Sequence, residues 1–226
     1  MAVREQAAIE AVVRAAGLTP RGAFHPLAED GVPALGDGRP VGTLVLVGNA
    51  GGAMWAAFAR ARRDEPQPLD AWSRRVVDAL AARLGAMPLF PFGGPPHHPF
   101  QRWARRAEAV HPSPLGALIH PDYGLWHAYR GALAFAEAIP LPPSDTRPSP
   151  CESCAERPCL AACPVGAFTA AGYDVGACAG HLRAPAGAEC MNEGCLARRA
   201  CPVGRSYTYS PEQMRFHMQA FLTARG

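Results

Sequence analysis

A chain of 226 residues is long enough for one large domain, or for a medium domain with a small companion, and either can bury a real core. With 49% hydrophobic residues and a formal net charge of +3, the composition is that of a globular protein and makes no electrostatic case for nucleic acid or an acidic membrane. All 22 basic residues are arginine, which excludes a phosphate-loop lysine, a pyridoxal Schiff base and a lysine general base.

The opening MAVREQAAIEAVVRAAGL sets Ile9, Val12, Val13 and Ala16 on one face at the helical period, with Gly17 where a helix ends. It lacks the apolar core and cleavage site of a secretion signal, and no apolar run is long enough to span a bilayer. The expected location is cytoplasmic, with no membrane partner, where cysteines stay reduced and serve metals or catalysis. A Gly/Pro-rich loop follows, then 42–48 (GTLVLVG), an apolar run suited to a strand buried on both faces. Residues 53–63 read as helix. Asp70 is placed to cap the next one, which carries Trp72, Val76, Val77, Leu80 and Leu84 on one side and stops at Gly85. A short strand is expected around 88–92, a helix over 100–110, and strands within 116–119 and 125–135. The last helix has Ser210 at its N-cap, Pro211 first and Gln213 third, the pattern of a capping box. Met214, His217, Met218, Phe221 and Leu222 form its apolar stripe.

All eight cysteines lie between Cys151 and Cys201, after the proline-rich stretch 139–150 (IPLPPSDTRPSP), which reads as a linker or wrapping arm. They run Cys151-x2-Cys154-x4-Cys159-x3-Cys163-Pro, then Cys178, then Cys190-x4-Cys195-x5-Cys201-Pro. Close spacing lets consecutive backbone amides wrap a metal cluster and donate to its sulfurs. An internal repeat is present: Cys154-AERP-Cys159-LAA-Cys163-PVG aligns with Cys190-MNEG-Cys195-LARRA-Cys201-PVG. Cys178 then stands opposite Cys151. Zinc also takes four cysteines but favours paired C-x2-C knuckles, of which there is one here. A disulfide framework is the third use. Iron–sulfur is the preferred reading.

In this segment the chain resembles the bacterial-type ferredoxins, whose Cys-Pro cysteine ligates the other cluster. That resemblance implies one [4Fe–4S] cluster on Cys151, Cys154, Cys159 and Cys201, and a second on Cys163, Cys178, Cys190 and Cys195. The chain departs from the family spacing C-x2-C-x2-C-x3-C-P: the second gap is wider in both halves, and the final gap of the second half is longer.

Upstream, Ile119-His-Pro-Asp-Tyr-Gly-Leu-Trp-His-Ala-Tyr-Arg-Gly131 resembles the I-H-P-x-(aromatic)-G-x-W-x-A-x-R-G stretch of the CblC family of cobalamin-processing proteins. GAFHPL near Phe24, TLVLV at 43–47 and Tyr209-Ser-Pro-Glu-Gln213 resemble that family in the same order. Two relatives, epoxyqueuosine reductase and the reductive dehalogenases, join such a core to a two-cluster ferredoxin module. The resemblance implies an α/β (α+β) fold. A nitroreductase-like, CblC-like sheet with flanking helices is expected over 1–148, with helix 210–224 packing back on it. The ferredoxin-like module is expected over 149–207.

The implied function is relay of electrons through two clusters to a corrinoid, for cobalamin reduction, removal of its upper ligand, or a cobalamin-dependent reduction. Pro121, Tyr123, Gly124, Trp126 and His127 are the expected corrinoid-facing residues, although this stretch also reads as a turn with core packing. The expected electron donor is a reduced ferredoxin, a flavodoxin or a reductase. A nucleic-acid partner is not expected, because the chain is shorter than an epoxyqueuosine reductase. The alternatives are a pure electron carrier without a corrinoid and a zinc-stabilised binding protein. No catalytic acid or base is assigned. Pro95-Pro96-His97-His98-Pro99 reads as a rigid loop, 48–52 as a strand-to-helix turn, His181 as a spare ligand, and Arg102, Arg105 and Arg106 as a solvated helix face.

Overall fold

The computed structural model describes residues 5–225. In chain order the first elements are α1 (Gln6–Ala15), β1 (Thr19–Phe24), β2 (Thr43–Ala50), α2 (Ala53–Ala61), α3 (Pro68–Leu84), β3 (Met87–Leu89) and α4 (Phe100–Ala107). Then come β4 (His111–Pro112), β5 (Leu118–Ile119), β6 (His127–Phe135), α5 (Pro158–Ala161), β7 (Phe168–Thr169) and β8 (Gly172–Tyr173). The chain ends with α6 (Val175–Arg183), α7 (Ala188–Glu193), α8 (Leu196–Arg199) and α9 (Pro211–Thr223). The fold is of the mixed α/β kind. The first residues of the predicted N-terminal helix lie outside the described residues. Among the described residues no helix is long and apolar enough to cross a membrane.

The chain divides into two compact units. One comprises the chain up to Ala109 together with His127–Thr146. Its antiparallel sheet has the order β1-β2-β6-β3. Every residue of the inner strand β2 is buried, which is why its sequence is a continuous apolar run without alternation. Helix α3 packs on β6 and β3, α2 on β2, and α1 and α4 on β1. Gly131 in β6 lets α3 approach closely, since a Cβ there would stand 3.1 Å from Val77.

Three local expectations change. β1 lies where a loop was expected. Pro20 and Gly22 disguise it, but an edge strand tolerates both, and the pairing with β2 shifts between Pro20 and Ala23. Asp70 does not cap α3: Gln67 holds that place, Pro68 opens the helix, and Asp70 pairs with Arg130 instead. Arg130 sits at a bulge in β6, between Tyr129 opposite Gly48 and Gly131 opposite Val47. Strand β6 begins only at His127, because the preceding residues form a tight turn closed by His120 and Gly124.

The second unit comprises Val110–Trp126 and the chain from Arg147 onward. It holds the short β4–β5 and β7–β8 ladders and helices α5 to α9. This division differs from a boundary at 148/149, since both 110–126 and α9 fall in the cysteine-bearing unit. The cause is packing. Helix α9 lies on α7, and Gly194 makes room for Met214, which would stand 2.7 Å (Sδ) from a Cβ there. Trp126 packs with Tyr209 and Met214.

Candidate metal centre

The internal repeat folds as two equivalent pieces. Helices α5 and α8 are single turns beginning beside Cys159 and Cys195, and they pack on each other. The eight thiols divide four and four. Cys151, Cys154, Cys159 and Cys201 line one cavity with Ile119, Pro202 and Val203. Cys163, Cys178, Cys190 and Cys195 line another with Phe168, His181 and Met218. Each Cys-Pro cysteine thus faces the three-cysteine group of the other half. All eight are free thiols. Among the described residues no three His, Cys, Asp or Glu side chains are arranged to hold a single metal ion; the thiols surround voids.

The electrostatics follow the same division. Burial pushes up the thiols of Cys151 and Cys159, and the sulfur of Cys201 adds to both shifts. Burial also raises Cys190, with Cys178 and Cys163 adding to it, and Cys195, with Cys190 and Cys178 adding. Cys201 is raised by burial and by Cys154. Backbone amides work the other way: Leu196 toward Cys190, Arg198 and Ala197 toward Cys195, and Val203 toward Cys201. The Ala167 amide donates to Cys163 Sγ at 3.3 Å. Half-buried and buried thiols around a void, met by backbone N–H groups, are the donor set and the surrounding hydrogen bonds that a thiolate-held cluster needs.

The turn before β6 braces this unit. His120 Nδ1 accepts from the amides of Asp122 (3.0 Å) and Tyr123 (3.3 Å), and its ring stacks on Tyr123 at 4.2 Å. Gly124 has φ +56°, and a Cβ there would meet the Val203 carbonyl oxygen at 2.0 Å. Gly204 is as tight, with a Cβ position 2.3 Å from the Tyr123 carbonyl carbon. The glycine of HPDYG and that of the second Cys-Pro-Val-Gly therefore let two backbones touch. The longer final gap of the repeat is also used. Arg198 donates to the Leu125 carbonyl at 3.1 and 2.6 Å and covers the rings of Trp126 (4.5 Å) and Tyr209 (4.6 Å). Arg199 pairs with Glu189 and Glu193 of α7, the helix that carries Cys190.

Of the corrinoid-facing candidates, Pro121 and Tyr123 are half-buried, while Gly124, Trp126 and His127 are buried. Trp126 is 1% exposed, so its ring is spent on packing. His127 belongs to the first unit and meets a buried polar group invisible in the sequence. Arg21 is fully buried. It donates to both oxygens of Glu108 (2.6 and 3.3 Å), to the Asn49 carbonyl (2.9 Å) and to His127 Nδ1 (3.1 Å). The Tyr129 hydroxyl donates to Glu108 as well. Burial drives the Tyr129 phenol well above its ordinary range; Arg21 pulls it down and Glu108 pushes it up.

The remaining candidates resolve simply. His98 stacks on Trp103 and His97 is exposed. Asn49 ties the 48–52 turn through Gly51. Arg102 and Arg106 are not free surface charges: both reach Asp30.

No family model and no curated protein matches this chain. Among solved structures, one of epoxyqueuosine reductase with a tRNA-Tyr epoxyqueuosine-modified stem loop aligns at a TM-score of 0.52 and 15% identity, over 92% of this chain and 70% of the reductase. The chain shares that reductase's fold. The epoxyqueuosine reductase of Bacillus subtilis aligns at 0.49 and 16% identity, over 91% and 69%. One expectation is overturned here: that nucleic acid is no partner for this protein. The structure that shares its fold carries a tRNA stem loop.

Proposed function

We propose that this chain is an iron–sulfur oxidoreductase with two [4Fe–4S] clusters. Cys151, Cys154, Cys159 and Cys201 would hold one, and Cys163, Cys178, Cys190 and Cys195 the other. The observation that carries the reading is the division of eight thiols between two cavities, each closed by the Cys-Pro cysteine of the opposite half. Such clusters, when bound, store and release single electrons. The chain's own contribution is to shield the thiols partly from water, aim N–H groups at them, and hold the loop after Cys201 against the 120–126 turn.

The acceptor in this reading is a corrinoid, and the stretch that carries the CblC-like resemblance, with Pro121, Tyr123, Gly124, Trp126 and His127, would face it. The product is either a reduced, stripped cobalamin or a reduced substrate. A tRNA stem loop, carried by the reductase of the same fold, is a candidate for that substrate. One observation favours a second reading, a pure electron carrier: Trp126 and Gly124 are taken up by packing and offer no open face.

The test is to purify the protein anaerobically, count iron and sulfide, and titrate it with hydroxocobalamin while recording the visible spectrum. About eight irons per chain and a shift to base-off bands support the cluster-fed corrinoid enzyme. The same iron with an unchanged cobalamin spectrum leaves the electron carrier. Stoichiometric zinc and no iron sinks both.

A further inference from the structure

The apolar faces of α1 and α3, both in the first unit, do not close fully on each other. Ile9 and Val13 of α1 are buried, as are Trp72 and Leu80 of α3, but Val12, Ala16 and Val76 are only half-buried. A hollow of about 500 Å³ is left between these two helices and the end of α2. That is within the size of small-molecule sites, about 300–1,000 Å³. Small side chains make the space. Ala15 and Ala79 line it from α1 and α3, and Ala61 from the end of α2, while Trp72 and Leu80 supply its larger apolar groups.

The charge of this hollow is one-sided. Arg63, Arg75 and Arg83 line it, and among the described residues no Asp or Glu does. Arg75 and Arg83 lie on one face of α3 with Ala79 midway between them, each step being four residues. Arg75 donates from Nη1 to Glu65 at 2.9 Å, whereas its buried Nη2 has no hydrogen-bond partner among the described residues. Arg63 and Arg83 are exposed, and no carboxylate among the described residues pairs with either. A single carboxylate therefore answers three guanidiniums around an apolar floor.

We infer that this hollow binds a small amphipathic anion, an apolar body that carries one carboxylate or phosphate head. The floor selects the body and the arginines select the head, since a guanidinium meets either oxyanion through paired N–H donors. A fully polar acid would leave the floor in water, and a neutral apolar ligand would leave the arginines unanswered. The site lies wholly within the first unit and is independent of the cysteines and of the corrinoid reading.

The experiment is isothermal titration calorimetry on the anaerobically purified full chain. Decanoate and decyl phosphate are the probes; 1-decanol and acetate are the neutral and the short controls. One anion per chain should bind, at least about tenfold more tightly than 1-decanol, and acetate should not bind. The head group that binds more tightly names the class of ligand. Arg63→Gln combined with Arg83→Gln should weaken both anions about tenfold and leave 1-decanol unchanged. Ala79→Leu fills the floor and should weaken the anions and 1-decanol alike. Helix α3 tolerates it, because position 79 is exposed and leucine favours helix. Ala15→Leu on α1 carries the same test if Ala79→Leu does not fold. Absence of anion binding overturns the inference, as does 1-decanol binding as tightly as the anions. Anion affinity unchanged in either the arginine or the leucine variant also overturns it. Dimerisation that Ala79→Leu abolishes, in a chain that binds no anion, overturns it and gives the hollow to a second copy.

Discussion

Nη2 of Arg21 lies 3.1 Å from Nδ1 of His127. A guanidinium only donates, so Nδ1 must carry the lone pair and Nε2 the proton. His127 is thereby fixed as the Nε2–H tautomer: it can donate from Nε2 but cannot ligate a metal through it. Nitrogen-detected NMR on protein labelled at histidine should report a neutral ring protonated at Nε2. A ring protonated at Nδ1 would show that the Arg21 contact does not persist in solution.

The same arginine separates a costly ion pair from an inexpensive one. Arg21 and Glu108 pair with side chains 0% and 12% exposed, whereas Arg147 and Asp122 pair at 47% and 51%. Removing one partner of a buried pair strands the other charge and costs about 3–5 kcal/mol. An exposed pair is worth about 0–1 kcal/mol. Urea melts of Glu108→Ala and Arg147→Ala should therefore differ several-fold in lost stability. Equal losses would mean that water reaches Arg21.

Tyr129 links this network to pH. Its phenol is pushed up from 10.0 chiefly by burial, with Glu108 adding and Arg21 opposing. In the unfolded chain it ionises near pH 10. Below that pH both states hold the proton and the contribution is fully present. As pH rises further, the unfolded state releases its proton and the folded state does not, so stability falls by at most about 1.4 kcal/mol per pH unit. Tyr129→Phe should flatten that high-pH limb relative to wild type in melts at pH 9 and pH 11. Tyr173, also raised by burial, leaves a residual slope. Parallel limbs in the two proteins would place the titration elsewhere.

What was legible in the sequence followed from local rules. The cysteine repeat is visible because metal ligands need fixed spacings, and it folds as α5 and α8 with matching Cys-Pro ends. Strand β2 is visible because a strand covered on both faces needs an unbroken apolar run. Strand β1 was hidden, since its Pro20 and Gly22 obey edge-strand rules that read as a loop. The Arg21 group was hidden for a different reason: residues 21, 49, 108, 127 and 129 meet only once the sheet has formed. The placement of 110–126 with the cysteines was hidden too, because it depends on backbone contacts between Gly124 and Val203 that no side-chain pattern announces.

That contact can be tested with two glycines of similar conformation. Gly124 and Gly116 both have positive φ (+56° and +75°), but a Cβ on Gly116 meets nothing within 4 Å and one on Gly124 overlaps the Val203 carbonyl. Gly116→Ala should cost about 1 kcal/mol, from conformational strain alone. Gly124→Ala must also displace the loop two residues beyond Cys201. It should lose more stability and bind iron substoichiometrically after anaerobic reconstitution. Full iron content in Gly124→Ala would mean that the turn and the cysteine loop are independent.

The division of the thiols makes the sharpest demand on the cluster reading. If ligands were shared only within each half of the repeat, Cys159→Ala and Cys163→Ala would damage the same cluster. The cavities instead group Cys159 with Cys201 and Cys163 with Cys190. Cys159→Ala combined with Cys201→Ala should therefore lose no more iron than either alone, falling from about eight to about four irons per chain. Cys159→Ala combined with Cys163→Ala should lose both clusters. Iron and sulfide analysis, with EPR of the reduced protein, reads the outcome. Additive loss in the first pair and none beyond a single variant in the second would reverse the assignment, and would return each cluster to one half of the repeat.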